Sequence, residues 1–312
     1  MQTKKIQKIT QHGVLLVDKP AGWTSHDVVG KIRSLLHQKE VGHCGTLDPM
    51  ASGLMVILLG EATKLSSFLL EQNKTYRVQV QLGLRTDTLD TTGQVLSQSP
   101  VDVTELALQQ ALSQVTGHFE WPVPMYSATK IQGKKLYEYA REGQEVEVPV
   151  KPMSFFNLQD FEVLPGGFAL TLSCSKGAFI RTWVQQLGEL LGCGAAMSGL
   201  RRIASEPYNL DQAITIDELQ RVLSTEEVSF SSLLIPLERL LPDLKVLRIQ
   251  GKDEVLMKNG QISHDLRAQL IRIYQPHQDL GAKILSLQSG KMISLVELEK
   301  GVGFRVRRVF QY

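Results

Sequence analysis

The chain has 312 residues, of which 43% are hydrophobic, which allows one large domain and one small domain with an ample core. The net charge of +2 excludes an argument for nucleic-acid binding from overall charge, so that argument depends on where the basic residues lie. The three cysteines lack metal-ligand spacing and suit a reducing compartment, and no apolar stretch approaches the ~18–20 residues needed to cross a bilayer.

The first elements are two buried strands and the helix between them. Residues 14–17 and 54–59 are short apolar runs, which predict buried strands. Thr24 and Asp27 have the spacing of a capping box, so a helix is predicted to begin directly after Thr24.

The next segment alternates between apolar and polar residues. In residues 75–82 this alternation predicts a half-buried strand with Tyr76 facing the interior. The polar, turn-rich residues 83–93 predict a loop, and the amphipathic residues 104–115 predict a helix that ends near Gly117.

A second strand and helix follow in the middle of the chain. Residues 168–175 alternate again, and they lead into an apolar helical stripe from Ile180 to Leu191 that ends at Gly192. Thr215 and the glutamate three residues later predict the start of another helix. Strands and helices without a regular βαβ rhythm indicate an α+β fold.

The C-terminal part has a different pattern, and we place a domain boundary near residues 242–245. Beyond it, residues 270–274, 282–287 and 292–296 read as short strands, with a hairpin turn at Ser289-Gly290. The sequence therefore predicts a small β domain after the large one.

The most informative segment is Gly42–Gly53, GHCGTLDPMASG, in which Asp48 lies on a loop fixed by glycines and Pro49. It resembles the signature of the TruB family of tRNA pseudouridine synthases. Further blocks carry the same resemblance along most of the chain: Val17–Ser25, Lys74–Val78, Arg85–Asp90, Met125–Lys130, Gly133–Arg141, Cys174–Thr182 and Leu200–Arg202.

The resemblance implies a fold and a domain organisation. Residues 1–242 would form a pseudouridine synthase catalytic domain, with a mixed, mainly antiparallel sheet flanked by helices and an RNA-binding insertion at about residues 124–152. Residues 243–312 would form a small PUA-like β-barrel domain.

It also implies an activity, the isomerisation of uridine 55 in the T loop of tRNA to pseudouridine, with no cofactor, metal or guide RNA. We expect a cytoplasmic monomer. Two alternatives stay open: a tRNA-binding or tRNA-folding protein with secondary or no catalysis, and a ribosomal-RNA pseudouridine synthase.

Site residues follow from the matching motifs. The resemblance makes Asp48 the nucleophile, Arg181 its cationic partner and Tyr76 a residue against the target base. Because Arg181 falls in the first turn of a predicted helix, where the dipole disfavours a cation by ~0.3–1 kcal/mol, we expect an anion beside it. We further predict that Asp90, from the polar loop Arg85–Asp90, is a second carboxylate bound by the Arg181 guanidinium and positions it.

The remaining predictions concern substrate binding. By resemblance His43 fills the space of a flipped base, and Phe179 and Leu200 pack near it, although Phe179 stands where the family commonly has Tyr. Basic residues mixed with two tyrosines in the insertion suit a folded RNA loop. Those basic residues are Lys130, Lys134, Lys135 and Arg141, and the basic surface is expected to extend to Lys19, Lys64, Arg201, Arg202, Arg305, Arg307 and Arg308.

Overall fold

The computed structural model describes residues 10–225, 229–274, 281–299 and 302–312, which form a large mixed sheet, a smaller C-terminal sheet and flanking helices. The helices are α1 Ser25–Leu36, α2 Ser66–Leu70, α3 Glu105–Gln114, α4 Leu136–Arg141, α5 Ile180–Leu190, α6 Ile216–Thr225, α7 Lys252–Lys258 and α8 His264–Ile273. Short 3₁₀ helices occupy Gly60–Leu65, Leu210–Gln212, Phe230–Leu233 and Leu237–Arg239.

The strands follow in chain order. The first nine are β1 Gly13–Lys19, β2 Val41–Cys44, β3 Ser52–Leu59, β4 Lys74–Leu82, β5 Leu84–Thr86, β6 Val95–Gln98, β7 Gly117–Pro122, β8 Lys130–Ile131 and β9 Lys134–Lys135. The others are β10 Val150–Leu164, β11 Gly167–Cys174, β12 Ala195–Ser205, β13 Tyr208–Asn209, β14 Ile214–Thr215, β15 Leu234–Ile235, β16 Lys245–Ile249, β17 Gly281–Ser286, β18 Met292–Glu299 and β19 Gly303–Val309.

The large sheet has the strand order β14-β1-β3-β12-β4-β11-β10-β7, with β2 on β3, β13 on β12 and β15 on β1. β1 is parallel to β14 and β12 is parallel to β3, whereas the other pairs of this sheet are antiparallel. The predicted α+β fold with a mixed, mainly antiparallel sheet is therefore confirmed.

Most elements predicted for the large sheet are present with small shifts of their ends. Thr24 and Asp27 form the predicted capping box of α1, and Thr215 caps α6 through Glu218. The segment 83–93 is not only a loop, because β5 lies within it and pairs with β6. The strand forms through backbone hydrogen bonds, which the pattern of polar side chains in this segment does not predict.

Both faces of β1 and β3 are buried, which explains why these strands are almost entirely apolar. On one face, Leu15 and Val17 share a core with residues of α1 and α6. On the other face, Val14 and Leu16 share a core with Leu295 and other residues of the C-terminal part of the chain.

The C-terminal sheet has the order β16-β17-β18-β19, with β16 parallel to β17 and the other pairs antiparallel. The predicted strands at 282–287 and 292–296 and the turn at Ser289-Gly290 are confirmed. The strand predicted at 270–274 is wrong, because these residues end α8, whose Leu266 and Leu270 are buried one turn apart. The strand pairs of the described residues run from β16 to β19 without closing a ring, so the expected barrel is not confirmed.

Polar contacts also join the C-terminal sheet to segments that flank the large one. The ammonium of Lys283, itself buried, donates to the carbonyls of Glu238 and Leu240 at 3.0 and 2.9 Å. Lys64 Nζ donates to the Val309 carbonyl at 2.9 Å. The apolar and polar contacts together indicate that the two sheets stabilise each other.

Shared packing predicts that damage to this contact destabilises the whole chain. Leu295→Ala removes a fully buried side chain from the shared core and should lower the free energy of unfolding by about 2–5 kcal/mol. Leu287→Ala, at a position 51% exposed, should change it by no more than about 0.5 kcal/mol. Chemical denaturation followed by fluorescence and circular dichroism measures both, and a Leu295→Ala protein as stable as the control would contradict the shared core.

Candidate active site

Asp48 lies on the loop between β2 and β3, and the backbone on both sides of it is held by other segments. Ser25 Oγ donates to the carbonyl of Leu47 and accepts from its amide, at 3.1 and 2.9 Å. On the other side of Asp48, the carbonyl of Pro49 accepts a hydrogen bond from the amide of Gly22 at 2.8 Å. The backbone of the loop is therefore fixed while the Asp48 side chain stays 32% exposed.

Arg202 holds the same loop from within the sheet. Its guanidinium donates to the carbonyls of Leu54 at 2.6 Å, Gly45 at 3.2 Å and Thr46 at 3.5 Å. Gly53 allows this arrangement, because its φ is +101° and a Cβ there would lie 2.3 Å from the Arg202 carbonyl oxygen. Arg202, predicted as part of a basic surface, is 1% exposed, so that prediction is wrong.

An ion pair joins Asp48 to Arg181 in the first turn of α5. Arg181 Nε lies 2.9 Å from Asp48 Oδ2, and Arg181 Nη2 donates to Asp48 Oδ1 at 3.1 Å. The Arg181 side chain is only 6% exposed, so the carboxylate meets a desolvated cation through one hydrogen bond and a second close charge contact. The anion expected beside Arg181 is thus present, and it is Asp48.

Two backbone carbonyls complete the surroundings of Arg181. Its Nη1 donates to Thr88 O at 3.1 Å and its Nη2 to Tyr126 O at 2.9 Å. The predicted contact from Asp90 is absent: its Oδ1 accepts from the Thr88 and Thr92 hydroxyls at 2.9 and 2.6 Å, so it holds the Thr88 loop instead. The prediction of a direct partner for Arg181 is wrong.

Three partly buried side chains make an apolar surface beside the pair: Tyr76 on β4, Phe179 before α5 and Leu200 on β12. Tyr76 and Arg202 are register partners on adjacent strands. Burial raises the pKa of the Tyr76 hydroxyl, and the positive charge of Arg202 partly opposes this, so the phenol is neutral near pH 7. A neutral ring of this kind can pack on an uncharged base.

His43 and Cys44 end β2 just before the loop. Burial lowers the pKa of His43, and the charge of Arg202 adds to the effect, so its imidazole is neutral near pH 7. His43 Nδ1 is buried without a hydrogen-bond partner in the described residues. Burial raises the pKa of Cys44 to about 12, which makes it an inert thiol that packs in the core.

Lys19 is buried beneath the Asp48 loop and donates to the carbonyls of Trp23 at 2.6 Å, Pro20 at 3.0 Å and Pro49 at 3.4 Å. Its predicted part in the basic surface is therefore wrong. Desolvation lowers the pKa of Lys19 to about 8, although the nearby Asp48 charge acts in the opposite direction. Its role in this structure is to hold backbone next to Asp48.

The insertion presents cations against aromatic rings on and beside α4. Lys135 Nζ lies 5.2 Å and the Arg141 guanidinium carbon 5.3 Å from the centroid of Tyr137. Lys134 Nζ lies 4.5 Å from the centroid of Tyr139. The predicted mixture of basic and aromatic groups is present on one short helix and the strand directly before it.

Not every lysine of the insertion is free of acidic neighbours. Lys134 pairs with Glu142, whereas Lys130 on β8 is exposed. Lys151 Nζ donates to the hydroxyl of Thr129, the residue before Lys130, at 3.4 Å. The cations therefore differ in how readily they could bind a phosphate.

The other expected basic residues have protein partners. Lys64 pairs with Glu61 at 2.7 Å, and Arg201 pairs with Asp18 at 2.6 Å. The tail arginines are engaged likewise: Arg305 with Glu299, Arg307 with Glu297, and Arg308 with the carbonyls of Lys64 and Arg307. These groups are weaker candidates for RNA contact than the insertion.

Sequence reasoning missed Thr88 and Tyr126, which act on Arg181 through main-chain carbonyls. Every residue has a main-chain carbonyl, so residue type cannot predict this contact, although both residues lie within the segments Arg85–Asp90 and Met125–Lys130 that carry the family resemblance. Searching the part of the chain that the structure describes finds no helix long and apolar enough to cross a membrane. In the same residues no cluster of three His, Cys, Asp or Glu side chains could hold a metal ion.

Comparison with known proteins gives the family. A model described as TruB family pseudouridylate synthase (N terminal domain) matches residues 33–180. A model described as tRNA pseudouridylate synthase B C-terminal domain matches residues 181–242. The chain belongs to the TruB family.

Relatives agree with this membership over most of their length. This TruB-family chain is 50% identical over 303 residues to the tRNA pseudouridine synthase B of Bdellovibrio bacteriovorus, covering 96% of the chain and 97% of the relative. It is 41% identical over 271 residues to that of Aromatoleum aromaticum, covering 86% and 87%. Pseudouridylate synthases are isomerases, so the chain is an enzyme of that class.

Solved structures share the TruB-family fold. A Cbf5-Nop10-Gar1 complex contains a chain that matches with a TM-score of 0.70 at 23% identity, covering 96% of this chain and 85% of that one. An H/ACA RNP bound to a substrate RNA containing 2′-deoxyuridine matches at 0.69 and 21%, covering 97% and 86%. At these identities the likeness concerns the fold alone.

The geometry of Arg181 predicts that a lysine cannot replace it. Arg181→Lys keeps the charge, but one ammonium cannot reach both Asp48 oxygens and the two carbonyls together. We expect single-turnover pseudouridine formation at saturating RNA to fall at least about 10²-fold. Arg77→Lys, which alters a partly exposed pair with Glu162 on the same sheet, is the control and should keep the wild-type rate. Wild-type turnover by Arg181→Lys would contradict a role for the planar guanidinium group.

Proposed function

We propose that this enzyme is a tRNA pseudouridine synthase that isomerises uridine 55 in the T loop, with Asp48 as its nucleophile. The observation that carries the proposal is the asymmetry of the ion pair, because Arg181 is buried and Asp48 is partly exposed. One carboxylate is thereby paired with a buried cation and still has an open side. The relatives named tRNA pseudouridine synthase B support tRNA as the RNA.

The chemistry needs one carboxylate and no group from outside. The bond between uracil N1 and the ribose carbon breaks, the base turns, and its C5 joins the same carbon; C5 then loses its proton and N1 gains one, so the product is an isomer. Asp48 either attacks the ribose carbon, forming an ester bond that breaks when C5 joins that carbon, or removes a ribose proton to give a glycal and returns it when the new bond forms. Uracil spreads its departing charge over two carbonyls, so a second acid of the glycosidase kind is not required.

The apolar surface beside Asp48 has the properties needed to hold a base outside its stack. Tyr76 is the residue proposed to pack on the uracil, while Leu200 and Phe179 supply further apolar contact. Neutral His43, next to the loop, is proposed to fill the space that the flipped base leaves. These assignments use side chains that carry no charge themselves near pH 7, which suits contact with a neutral base.

The insertion is proposed to bind the folded T loop. Lys135, Arg141 and Tyr137 offer cations and an aromatic face together, a combination suited to phosphates and unstacked bases. We propose that residues 1–242 carry the catalytic site and residues 243–312 a PUA-like unit. We further propose that the enzyme acts as a cytoplasmic monomer without a guide RNA, and its three free, buried cysteines suit that compartment.

The decisive experiment uses a hairpin that contains only the T stem and loop. Purified enzyme should form pseudouridine in this hairpin at the position of uridine 55, with a chelator present and no other RNA. Asp48→Asn should lose product formation while its affinity for the hairpin stays within a few fold, because only the nucleophilic charge is removed.

The matched control for that experiment is Asp160→Asn, which changes an exposed aspartate far along the sequence and should keep full activity. Pseudouridine mapping after a single turnover gives both results. An inert hairpin with wild-type enzyme would refute the proposed substrate, and product from Asp48→Asn would refute the proposed nucleophile.

A second prediction concerns the exposed lysine of the insertion. Lys130→Ala should weaken binding of whole tRNA and reduce the slope of log affinity against log salt by roughly 0.7–0.9, the effect of one lost phosphate contact. Lys252→Ala removes an exposed lysine on α7 and should leave the slope unchanged. Titration of labelled tRNA at four salt concentrations measures both slopes, and equal slopes would place Lys130 away from the RNA.

A further inference from the structure

We infer that Tyr126 is a positioning residue that fixes Arg181 through its main chain and connects the RNA-binding insertion to the Asp48–Arg181 pair. The inference rests on the proposed function, in which this pair performs the reaction. It assigns a task to a side chain that does not itself contact Asp48.

Tyr126 is held at two points, by its main chain and by its side chain. Its carbonyl accepts a hydrogen bond from Arg181 Nη2 at 2.9 Å. Its hydroxyl donates to Asp87 Oδ2 at 3.1 Å. Because the ring is rigid, the hydroxyl bond limits how far the carbonyl can move away from the guanidinium.

Asp87 is a fixed anchor for that hydroxyl. Its Oδ1 accepts from the amide of Gln94 at 2.7 Å, and its own amide donates to the Gln94 carbonyl at 3.1 Å. Gly93 lies so close that a Cβ there would be 2.3 Å from Asp87 Oδ1, so the turn closes tightly on this carboxylate. The anchor is therefore part of a hydrogen-bonded turn.

The same turn also reaches Arg181 directly. Thr88, the residue after Asp87, presents its carbonyl to Arg181 Nη1 at 3.1 Å. Arg181, Thr88, Asp87 and Tyr126 thus form a closed ring of contacts, in which each terminal nitrogen of the guanidinium meets one carbonyl. Closure of the ring specifies the plane of the guanidinium that faces Asp48.

The other neighbour of Tyr126 leads to the insertion. The carbonyl of Ser127 accepts from the amide of Tyr137 at 3.1 Å, and Tyr137 carries the ring that Lys135 and Arg141 contact. A shift of α4 caused by RNA binding would therefore be transmitted to residues 126–127 through one main-chain hydrogen bond. The hydrogen bond of the Tyr126 hydroxyl keeps the Tyr126 carbonyl in place when α4 shifts.

The test is the removal of this hydroxyl alone. Tyr126→Phe keeps the ring and the carbonyl, so we expect the single-turnover rate at saturating T-loop hairpin to fall about tenfold, as for a hydrogen bond to a charged group. The affinity of the variant for the hairpin and the melting temperature of the variant protein should match those of the wild type. Tyr312→Phe removes a hydroxyl from a ring that is 46% exposed and contacts His12, and its rate should be unchanged.

A double-mutant cycle tests the connection to Asp87. Asp87→Ala should also slow the reaction, and Asp87→Ala/Tyr126→Phe should be no slower than Asp87→Ala, because both changes break the same bond. Asp87→Asn retains polar atoms toward both Tyr126 and Gln94 and should restore most of the rate.

Three results would overturn the inference: a wild-type rate for Tyr126→Phe, a loss that appears in affinity only, or rate losses that multiply in the double variant. Its failure is distinguishable from failure of the proposed function. An inactive Asp48→Asn together with a fully active Tyr126→Phe would reject only the positioning role. An active Asp48→Asn would reject the nucleophile itself.

Discussion

The buried guanidinium of Arg181 is the constraint on which the arrangement of the site depends. An unpaired charge at a buried position costs several kcal/mol, so the fold must bring compensating groups to it. Those groups come from three places far apart in sequence, the Asp48 loop, the Thr88 turn and the Tyr126 segment. The pair at once neutralises a buried charge and leaves one side of a carboxylate open, so the same contacts serve stability and reactivity.

The Asp48 loop is rigid because cations and hydroxyls bind its backbone and leave its side chain alone. Arg202 and Lys19, both buried, donate to carbonyls around the loop, and Ser25 fixes the residue before Asp48. Donors already bound to carbonyls do not compete with Arg181 for the carboxylate. The direction of the Asp48 side chain is thereby set before substrate arrives, which is the preorganisation that electrostatic catalysis requires.

The sequence predicted which residues matter better than it predicted how they act. The resemblance to the family assigned Asp48 and Arg181, and the glycine-rich loop of the one and the helix-start position of the other supported those assignments. The prediction of Arg202 at the surface is wrong, because residue type alone does not distinguish an arginine that donates to buried carbonyls from an exposed one. The helix α8 was missed because five residues, 270–274, were judged without the Ser263 cap and Leu266 that precede them. Periodicity can separate helix from strand only over a window longer than that.

The contact between the two sheets joins the C-terminal part of the chain to the Asp48 loop. β3 begins directly after the Asp48 loop, and its Leu54 and Val56 lie in the core that Leu295 and Phe310 complete. Without the C-terminal sheet, this face of β3 would lose the cover that Met292, Leu295 and Phe310 supply, and each apolar side chain exposed there would cost about 1.5–3 kcal/mol. Residues after Pro242 are therefore part of what holds the Asp48 loop in place. RNA bound to the C-terminal sheet would act on a body that shares its core with the strands that position Asp48.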